Sequence, residues 1–372
     1  MGAGAFSHCD DLGPAKVVEL HQPAVGLRAL LVIDNVAAGP SIGGVRMAPE
    51  ISVEECFRLA RAMTLKNAMA GLAHGGGKAM IAGDPHGEPG RKRQLVRAFA
   101  QAIAELGDYI PGPDMGTDET CMGWVRDEIG RAVGLPPELG GIPLDELGAT
   151  GWGLAASARV AAPLCGLELA GARVAIQGFG AVGRHAARFL AEAGARLVAV
   201  SDSRGAVRDE SGLDLEALGR LKAEGRSVSE LDPARAIERD SLVAVPCEIW
   251  IPAAGPDVIR SDNVEQLQAR LVLQGANIPA TETAEQRLHE RGVLVVPDFV
   301  ANAGGVICAA VEHRGLGRAQ AFQEISERVG ANTAAVLAAA RDAAVPPRQA
   351  ARQLAEARVR RAMALGRWSG AA

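Results

Sequence analysis

The chain has 372 residues, 48% of them hydrophobic and 22% charged, with a formal net charge of −5. That length supports two domains with separate cores, and the mixed composition excludes a disordered chain. The slight negative charge, with Lys and Arg scattered along the sequence, offers no footprint for nucleic acid.

The start of the chain, Met1-Gly-Ala-Gly-Ala-Phe6-Ser-His, carries neither a basic-then-apolar signal pattern nor the Ser or Thr at position 6 of a myristoylation signal. No stretch reaches the roughly 20 apolar residues of a membrane helix, so no membrane association and a cytoplasmic location are expected. The six cysteines are dispersed, with no Cys-x-x-Cys pair. Buried thiols are the expectation, and no metal site.

In chain order, Ala29–Ile33 reads as a strand and Val53–Met69 and Arg91–Leu106 as helices. Residues 1–145 are therefore expected to form one α/β domain. Within it, Gly75-Gly-Gly-Lys78 invites a phosphate-loop reading, which fails. Leu72 stands where that loop opens on glycine, and Ala79 stands where it needs a magnesium-binding hydroxyl. A lysine drawn into a closed cleft by a glycine turn is the better reading. Burial and a neighbouring cation lower such an amine's pKa, which suits it to activate water. Lys66 is expected to supply that cation.

In the second half, strand Arg173–Gln177 runs into Gly178-Phe179-Gly180-Ala181-Val182-Gly183 and then into a helix over Arg184–Ala193. Gly194 stops that helix, and strand Arg196–Val200 ends at Ser201-Asp202. Strand, glycine turn, helix and strand with a terminal acid form a βαβ dinucleotide unit. Gly178 makes the turn, Gly180 admits the pyrophosphate and Gly183 lets helix and strand pack. Asp202 is placed to accept the adenosine ribose hydroxyls, which favours NAD; Arg204, just beyond it, leaves NADP open. Further strands at Ile249–Ile251, Leu271–Leu273 and Val293–Val296 extend a doubly wound parallel sheet over residues 146–329. From Arg318 the pattern is helical and broken at Pro346-Pro347. The last helix, about 330–372, is expected to pack back on the first domain, with a cleft between the two domains.

Six motifs occur in one order: Thr64-Leu-Lys66 to Lys78, Pro111-Gly112-Pro-Asp114-Met-Gly-Thr117, Gly148-Ala-Thr150-Gly, Gln177 to Gly183, Gln274-Gly-Ala-Asn277 and Asn302-Ala-Gly-Gly-Val306. From about residue 28 onward the chain resembles the glutamate/leucine/phenylalanine/valine dehydrogenase family. The resemblance implies NAD-dependent, reversible oxidative deamination of an L-amino acid to its 2-oxo acid and ammonium. It further implies a homo-oligomer, hexamer or octamer, built through the first domain. It makes Lys78 the catalytic lysine, Lys66 the partner of the substrate α-carboxylate and Asp114 the proton shuttle. Thr150 and Asn277 fall near the nicotinamide and its ribose. His74 has no role in that chemistry and reads as a residue lining the turn; Trp152 reads as packing.

The family's glutamate members place a lysine before the Gly-Gly of Gly-Gly-x-Arg, and here Ile42 holds that position. A second glutamate contact, a hydroxyl beyond Asn302, falls on Ala309. Ile42, Gly112, Val306 and Ala309 make a pocket in which a carboxylate lacks a partner, whereas an apolar side chain gains roughly 1.5–3 kcal/mol on burial. Leucine, valine or phenylalanine is the expected substrate. Glutamate is the alternative, because the stretch Asp114 to Gly151 has the glutamate branch's character. A non-catalytic nucleotide-binding subunit is the alternative of another class; Lys66, Lys78 and Asp114 together argue against it.

Overall fold

The structure, a computed structural model, describes residues 6–365. The extremes of the expected first domain and of the last helix, and the Met1-Gly2 pair, lie outside the described residues. The chain divides into two compact units: unit 1 holds the chain up to Pro143, Val306–Ala321 and the chain from Arg352, and unit 2 holds Leu144–Gly305 and Phe322–Ala351.

Unit 1 is built on β1 (Lys16–Gln22), β2 (Leu27–Asn35), β3 (Ser41–Ala48), α1 (Val53–Met69), β4 (Gly76–Ala82), α2 (Pro89–Ala102), β5 (Tyr109–Pro113) and α3 (Glu119–Ile129). The sheet order is β1-β2-β4-β3-β5, with β1 and β2 antiparallel to their neighbours and β3 parallel to both β4 and β5. Helix α1 starts where the Ser52 side chain accepts from Glu55 N–H, an N-cap. Its buried Cys56, Ala60, Thr64 and Asn67 recur at three and four, one helical face. With Val32 and Met80, Cys56 and Ala60 form a core on one side of the sheet. On the other side Leu95, Phe99, Met122 and Val125 of α2 and α3 pack with Leu31, Ile33, Met47 and Ile81. In the parallel register Val45 pairs with Ala79 and Gly44 with Gly112, so Gly44 sits beside Lys78 on the face that α1 covers.

Unit 2 contains α4 (Leu144–Leu147), α5 (Ala149–Leu164), β6 (Arg173–Gln177), α6 (Ala181–Glu192), β7 (Arg196–Ser201), β8 (Ala206–Arg208), α7 (Leu215–Ala223), β9 (Ala236–Ile237), β10 (Ile249–Pro252), β11 (Leu271–Leu273), α8 (Glu282–Glu290), β12 (Leu294–Val296) and α9 (Asp298–Ala301). Its sheet runs β12-β11-β10-β6-β7-β8-β9. The five strands from β12 to β7 are parallel, as expected, whereas β8 and β9 extend the edge antiparallel, which the sequence reading did not include. Trp152 is a packing residue that also donates from Nε1 to the Phe322 carbonyl at 2.9 Å and meets the Phe189 ring at 4.9 Å.

Three helices complete the chain: α10 (Gly304–His313), α11 (Arg318–Ala343) and α12 (Pro347–Leu365). Val306–Ala321, read from sequence as part of the second domain, counts with unit 1. The reason is Glu312 on α10, whose buried carboxylate accepts from Leu135 N–H at 3.1 Å and Ile142 N–H at 2.8 Å. The break between α11 and α12 falls at Ala344 and the Pro346-Pro347 pair, with Pro347 opening α12, where its missing N–H costs nothing. Arg358 of α12 donates to the Ala68 and Met69 carbonyls at the end of α1, of which Ala68 also accepts from Gly71 N–H.

Candidate active site

Lys78 lies inside β4 and is 5% exposed. Three glycines before it let main chain and buried side chains close in. A Cβ on Gly76 would stand 2.0 Å from Thr64 N, one on Gly75 would stand 1.6 Å from the Asn35 carbonyl oxygen, and one on Gly77 would stand 3.0 Å from Ser41 Oγ. Asn67 of α1, fully buried, donates from Nδ2 to the Gly75 carbonyl at 2.7 Å and pins the turn. On β3 a Cβ at Gly44 would approach Lys78 Nζ at 3.2 Å and Asp114 Cβ at 2.8 Å.

The Lys78 ammonium meets Asp114 Oδ2 at 2.6 Å. Asp114 itself sits in a turn that Thr117 fixes: Thr117 Oγ1 accepts from Asp114 N–H at 3.1 Å and donates to the Val45 carbonyl at 2.7 Å. Arg46, two residues along β3 from Gly44, donates from Nε to the same Asp114 oxygen at 3.0 Å and from Nη1 to Glu55 at 2.8 Å. Burial drives the Lys78 amine below the usual lysine range; Asp114 offsets part of that and Arg46 adds to it. The Asp114 carboxyl, although burial pushes it up, is held below the usual carboxylate range by Lys78 and Arg46. Arg46 is thus a like charge acting on Lys78. Arg46 is a site residue that the reading passed over; its signal was the Gly43-Gly-x-Arg46 segment itself.

Lys66 is half-buried in the last turn of α1. Ile42 is 3% exposed and pairs with Gly76 and Ile110, on the same face of the sheet as Gly44 and Lys78. Gly112 is buried against Val133, since a Cβ there would meet Val133 Cγ2 at 3.2 Å. Val306 and Ala309 stand three apart on α10, on one helical face, and belong to unit 1 with Ile42 and Gly112. His74 is buried beside the turn, with Nδ1 3.0 Å from the Pro40 carbonyl oxygen and its ring edge-on to His313 at 5.5 Å.

In unit 2 the residues fit a dinucleotide. Helix α6 begins at Gly180 with no side chain capping its first N–H groups, so the donors and the positive helix end stay available for a phosphate. A Cβ on Gly180 meets nothing within 4 Å, which leaves clearance for a pyrophosphate, while one on Gly183 would stand 1.9 Å from the Gly178 carbonyl oxygen. Phe179 is buried beneath the turn, and Ala181 and Val182 open the helix. Asp202 is 8% exposed and already holds four donors. Oδ1 accepts from Arg204 N–H at 3.0 Å and Ser227 Oγ at 2.9 Å; Oδ2 accepts from Lys222 Nζ at 2.9 Å and Val228 N–H at 3.1 Å. Burial works against the charged form, but these donors prevail and bring its pKa down to about 2. For Asp202 to receive ribose hydroxyls, as expected from sequence, one of these donors must give way. Thr150 lies in the first turn of α5 beside Gly305, whose Cβ would come 3.5 Å from Thr150 Oγ1. Asn277 is exposed and accepts from Asn302 Nδ2 at 3.0 Å, so the Asn302 motif supports the Asn277 loop.

A buried lysine–carboxylate pair in one unit and a glycine-turn dinucleotide cradle in the other define an NAD- or NADP-dependent oxidoreductase of amino acids, acting on CH–NH2 donors. Comparison with known proteins agrees: residues 14–131 match the Glu/Leu/Phe/Val dehydrogenase dimerisation domain, and residues 140–366 match the Glutamate/Leucine/Phenylalanine/Valine dehydrogenase model. The chain belongs to the Glu/Leu/Phe/Val dehydrogenase family. It is 40% identical over 296 residues to the NADP(+)-dependent glutamate dehydrogenase of Pyrobaculum calidifontis, covering 75% of this chain and 70% of the relative. Among solved structures it is similar to the hetero-hexameric glutamate dehydrogenase from Thermus thermophilus in its Leu-bound form, with TM-score 0.83, 31% identity and coverage of 95% and 91% of the two chains. It is also similar to L-tryptophan dehydrogenase from Nostoc punctiforme, with TM-score 0.74, 26% identity and coverage of 95% and 98%. Among the described residues, no helix is long and apolar enough to cross a membrane.

Proposed function

We propose that the chain oxidatively deaminates an L-amino acid with an apolar side chain, using Lys78 and Asp114 as the proton-handling pair. The observation that carries the reading is the 2.6 Å contact between a buried Lys78 and Asp114. In this reading Lys66 holds the substrate α-carboxylate as a point charge. Asp114 takes a proton from the substrate ammonium, so that a neutral amine is ready to be oxidised. NAD or NADP in the α6 cradle supplies the hydride acceptor, with Thr150 and Asn277 lining its nicotinamide side. Lys78, in its neutral form, takes a proton from water as the oxygen bonds to the imino carbon. Asp114 then returns its proton to the nitrogen and, as the C–N bond breaks, takes the hydroxyl proton while the C=O bond forms, releasing ammonia and leaving the 2-oxo acid.

The apolar preference rests on Ile42, buried on the face that bears Lys78, with Gly112, Val306 and Ala309 as the remaining wall. A γ-carboxylate beside Ile42 would forfeit its hydration without a cation in return. Glutamate is the second reading, favoured by the activity of the similar Pyrobaculum enzyme. The test is dinucleotide reduction with leucine, valine, phenylalanine and glutamate, with Lys78→Ala as control. Turnover of glutamate alone rejects the pocket reading, and undiminished turnover by Lys78→Ala rejects the mechanism.

For the assembly we propose a homo-oligomer, hexamer or octamer, formed through unit 1. The exposed β1 at the edge of its sheet, with Val17 41% exposed, supports assembly through unit 1, and the hetero-hexameric Thermus neighbour supports the hexameric order alone. A cytoplasmic location is consistent with thiols such as Cys56, Cys121 and Cys247 being buried and unpaired.

A further inference from the structure

The loop that follows β11, Gln274 to Ile278, is held by an unusual amount of buried polar chemistry. Gln274 is fully buried; its Oε1 accepts from Asp298 N–H at 3.0 Å and from Arg348 Nη2 at 2.7 Å, and its Nε2 donates to Glu285 Oε1 at 2.6 Å. The other Glu285 oxygen accepts from Arg348 Nε at 2.6 Å, and Arg348 Nη2 meets Asp298 Oδ1 at 2.8 Å. Asp298 Oδ2 closes the circuit by accepting from Ile278 N–H at 2.8 Å.

Ile278 is where this circuit acts on the backbone. Its φ is +48°, a left-handed conformation that a β-branched residue rarely adopts, and its side chain is not what holds it there, being 51% exposed. The restraint is main-chain: Asp298 takes its N–H, and its carbonyl accepts from Asp257 N–H at 3.0 Å. The residue before it is Asn277, joined to Ile278 by the peptide whose N–H Asp298 holds, and its side-chain oxygen accepts from Asn302 Nδ2 at 3.0 Å. Arg348 bridges two buried carboxylates, Glu285 at 7% and Asp298 at 5% exposure. Remove it and two buried anions face each other without its charge between them, so Asp298 can no longer serve Ile278 in the same place.

We propose that Arg348 is a positioning residue for the dinucleotide: through Gln274, Glu285 and Asp298 it locks Ile278 in the left-handed conformation and so fixes how Asn277 is presented to the nicotinamide half of bound NAD(P). This rests on the reading of Asn277 given above. The hydrogen bonds and ion pairs of Arg348 go to Gln274, Glu285 and Asp298, so its effect is to be read in cofactor binding. Its place in the second residue of α12 ties the cofactor loop to the start of the last helix.

The test uses the full-length protein with Arg348→Met, Arg348→Lys, Asn277→Ala and the double variant Arg348→Met/Asn277→Ala. NADH affinity is read by fluorescence titration without amino acid, beside both KM values and thermal melting. Arg348→Met is expected to weaken NADH binding about tenfold and leave the amino-acid KM within about twofold, with Arg348→Lys between it and wild type. The double variant should bind NADH about as weakly as Asn277→Ala, because the two residues act through one contact. Impaired binding by Asn277→Ala beside wild-type binding by Arg348→Met, or effects that multiply, overturns the inference alone. Wild-type binding by Asn277→Ala overturns the reading of Asn277 and the inference with it. If Arg348→Met melts below the assay temperature, Glu285→Gln loosens the guanidinium at constant volume; it should weaken NADH binding in the same direction, and unchanged binding overturns the proposal.

Discussion

One oxygen of Asp114, Oδ2, receives Lys78 Nζ at 2.6 Å and so ties the proton-handling acid to the proposed base before any substrate arrives. Either group can pass a proton to the other without moving. Loss of either should therefore remove most of what the pair contributes. Lys78→Ala and Asp114→Asn are each expected to lower kcat by about 100- to 10,000-fold, and the double variant should be little worse than the poorer single one. Single-turnover absorbance at the reduced-dinucleotide band checks this, and multiplying losses would show that the two act independently.

Arg46 shares that same oxygen, and its charge works on the amine from the far side of the acid. In the proposed mechanism a neutral lysine is the base, so kcat/KM should rise with pH through the Lys78 pKa. Arg46 lowers that pKa, and it also balances the Asp114 charge that raises it. Arg46→Met thus removes a downward influence and unmasks an upward one. The acid limb of the kcat/KM profile should move to higher pH, and a limb that stays or moves lower would refute the electrostatic role.

Asp202 and Lys222 make a prediction of two parts. The carboxylate is depressed from its ordinary 3.8 to about 2. Its stabilisation is therefore complete above its unfolded value and is lost as pH falls through about 2. At neutral pH Asp202→Asn should cost about 2 kcal/mol in urea unfolding, with the difference from wild type closing as the pH is brought down. In Lys222→Met the carboxylate keeps its charge and loses its counter-ion. The ratio of NADP to NAD affinity should then fall by about an order of magnitude, because a 2′-phosphate meets an uncompensated anion. An unchanged ratio would mean that the ribose does not approach Asp202.

Local pattern carried much of this architecture. The run from Arg173 to Asp202 reads as strand, turn, helix and strand from glycines and apolar spacing alone, and the structure keeps strand β6 and the start of β7 at the expected residues. Helix α1 likewise spans Val53–Met69 as read, because Ser52 and a three-and-four apolar spacing mark it within the segment itself. What escaped was long-range. The antiparallel β8 and β9 are short and join Val207 to Ala236 across an intervening helix. The assignment of Val306–Ala321 turned on Glu312 reaching two backbone N–H groups far away in sequence. The contact between Arg46 and Asp114 has the same origin: strand register, not nearness along the chain, brings the two together.

The glycines before Lys78 carry a last implication. Backbone of β2 and α1 and the buried Ser41 hydroxyl of β3 crowd those positions, and Lys78 is the first residue in the run whose side chain has room to exist. The turn that carries it is therefore walled largely by main chain, which has no rotamers to exchange. Such a wall cannot swing aside to let water relieve the amine's lost hydration, nor re-form around a shifted charge. The place from which the amine reaches Asp114 is consequently set when the sheet closes, and in the proposed reaction substrate meets it ready-made.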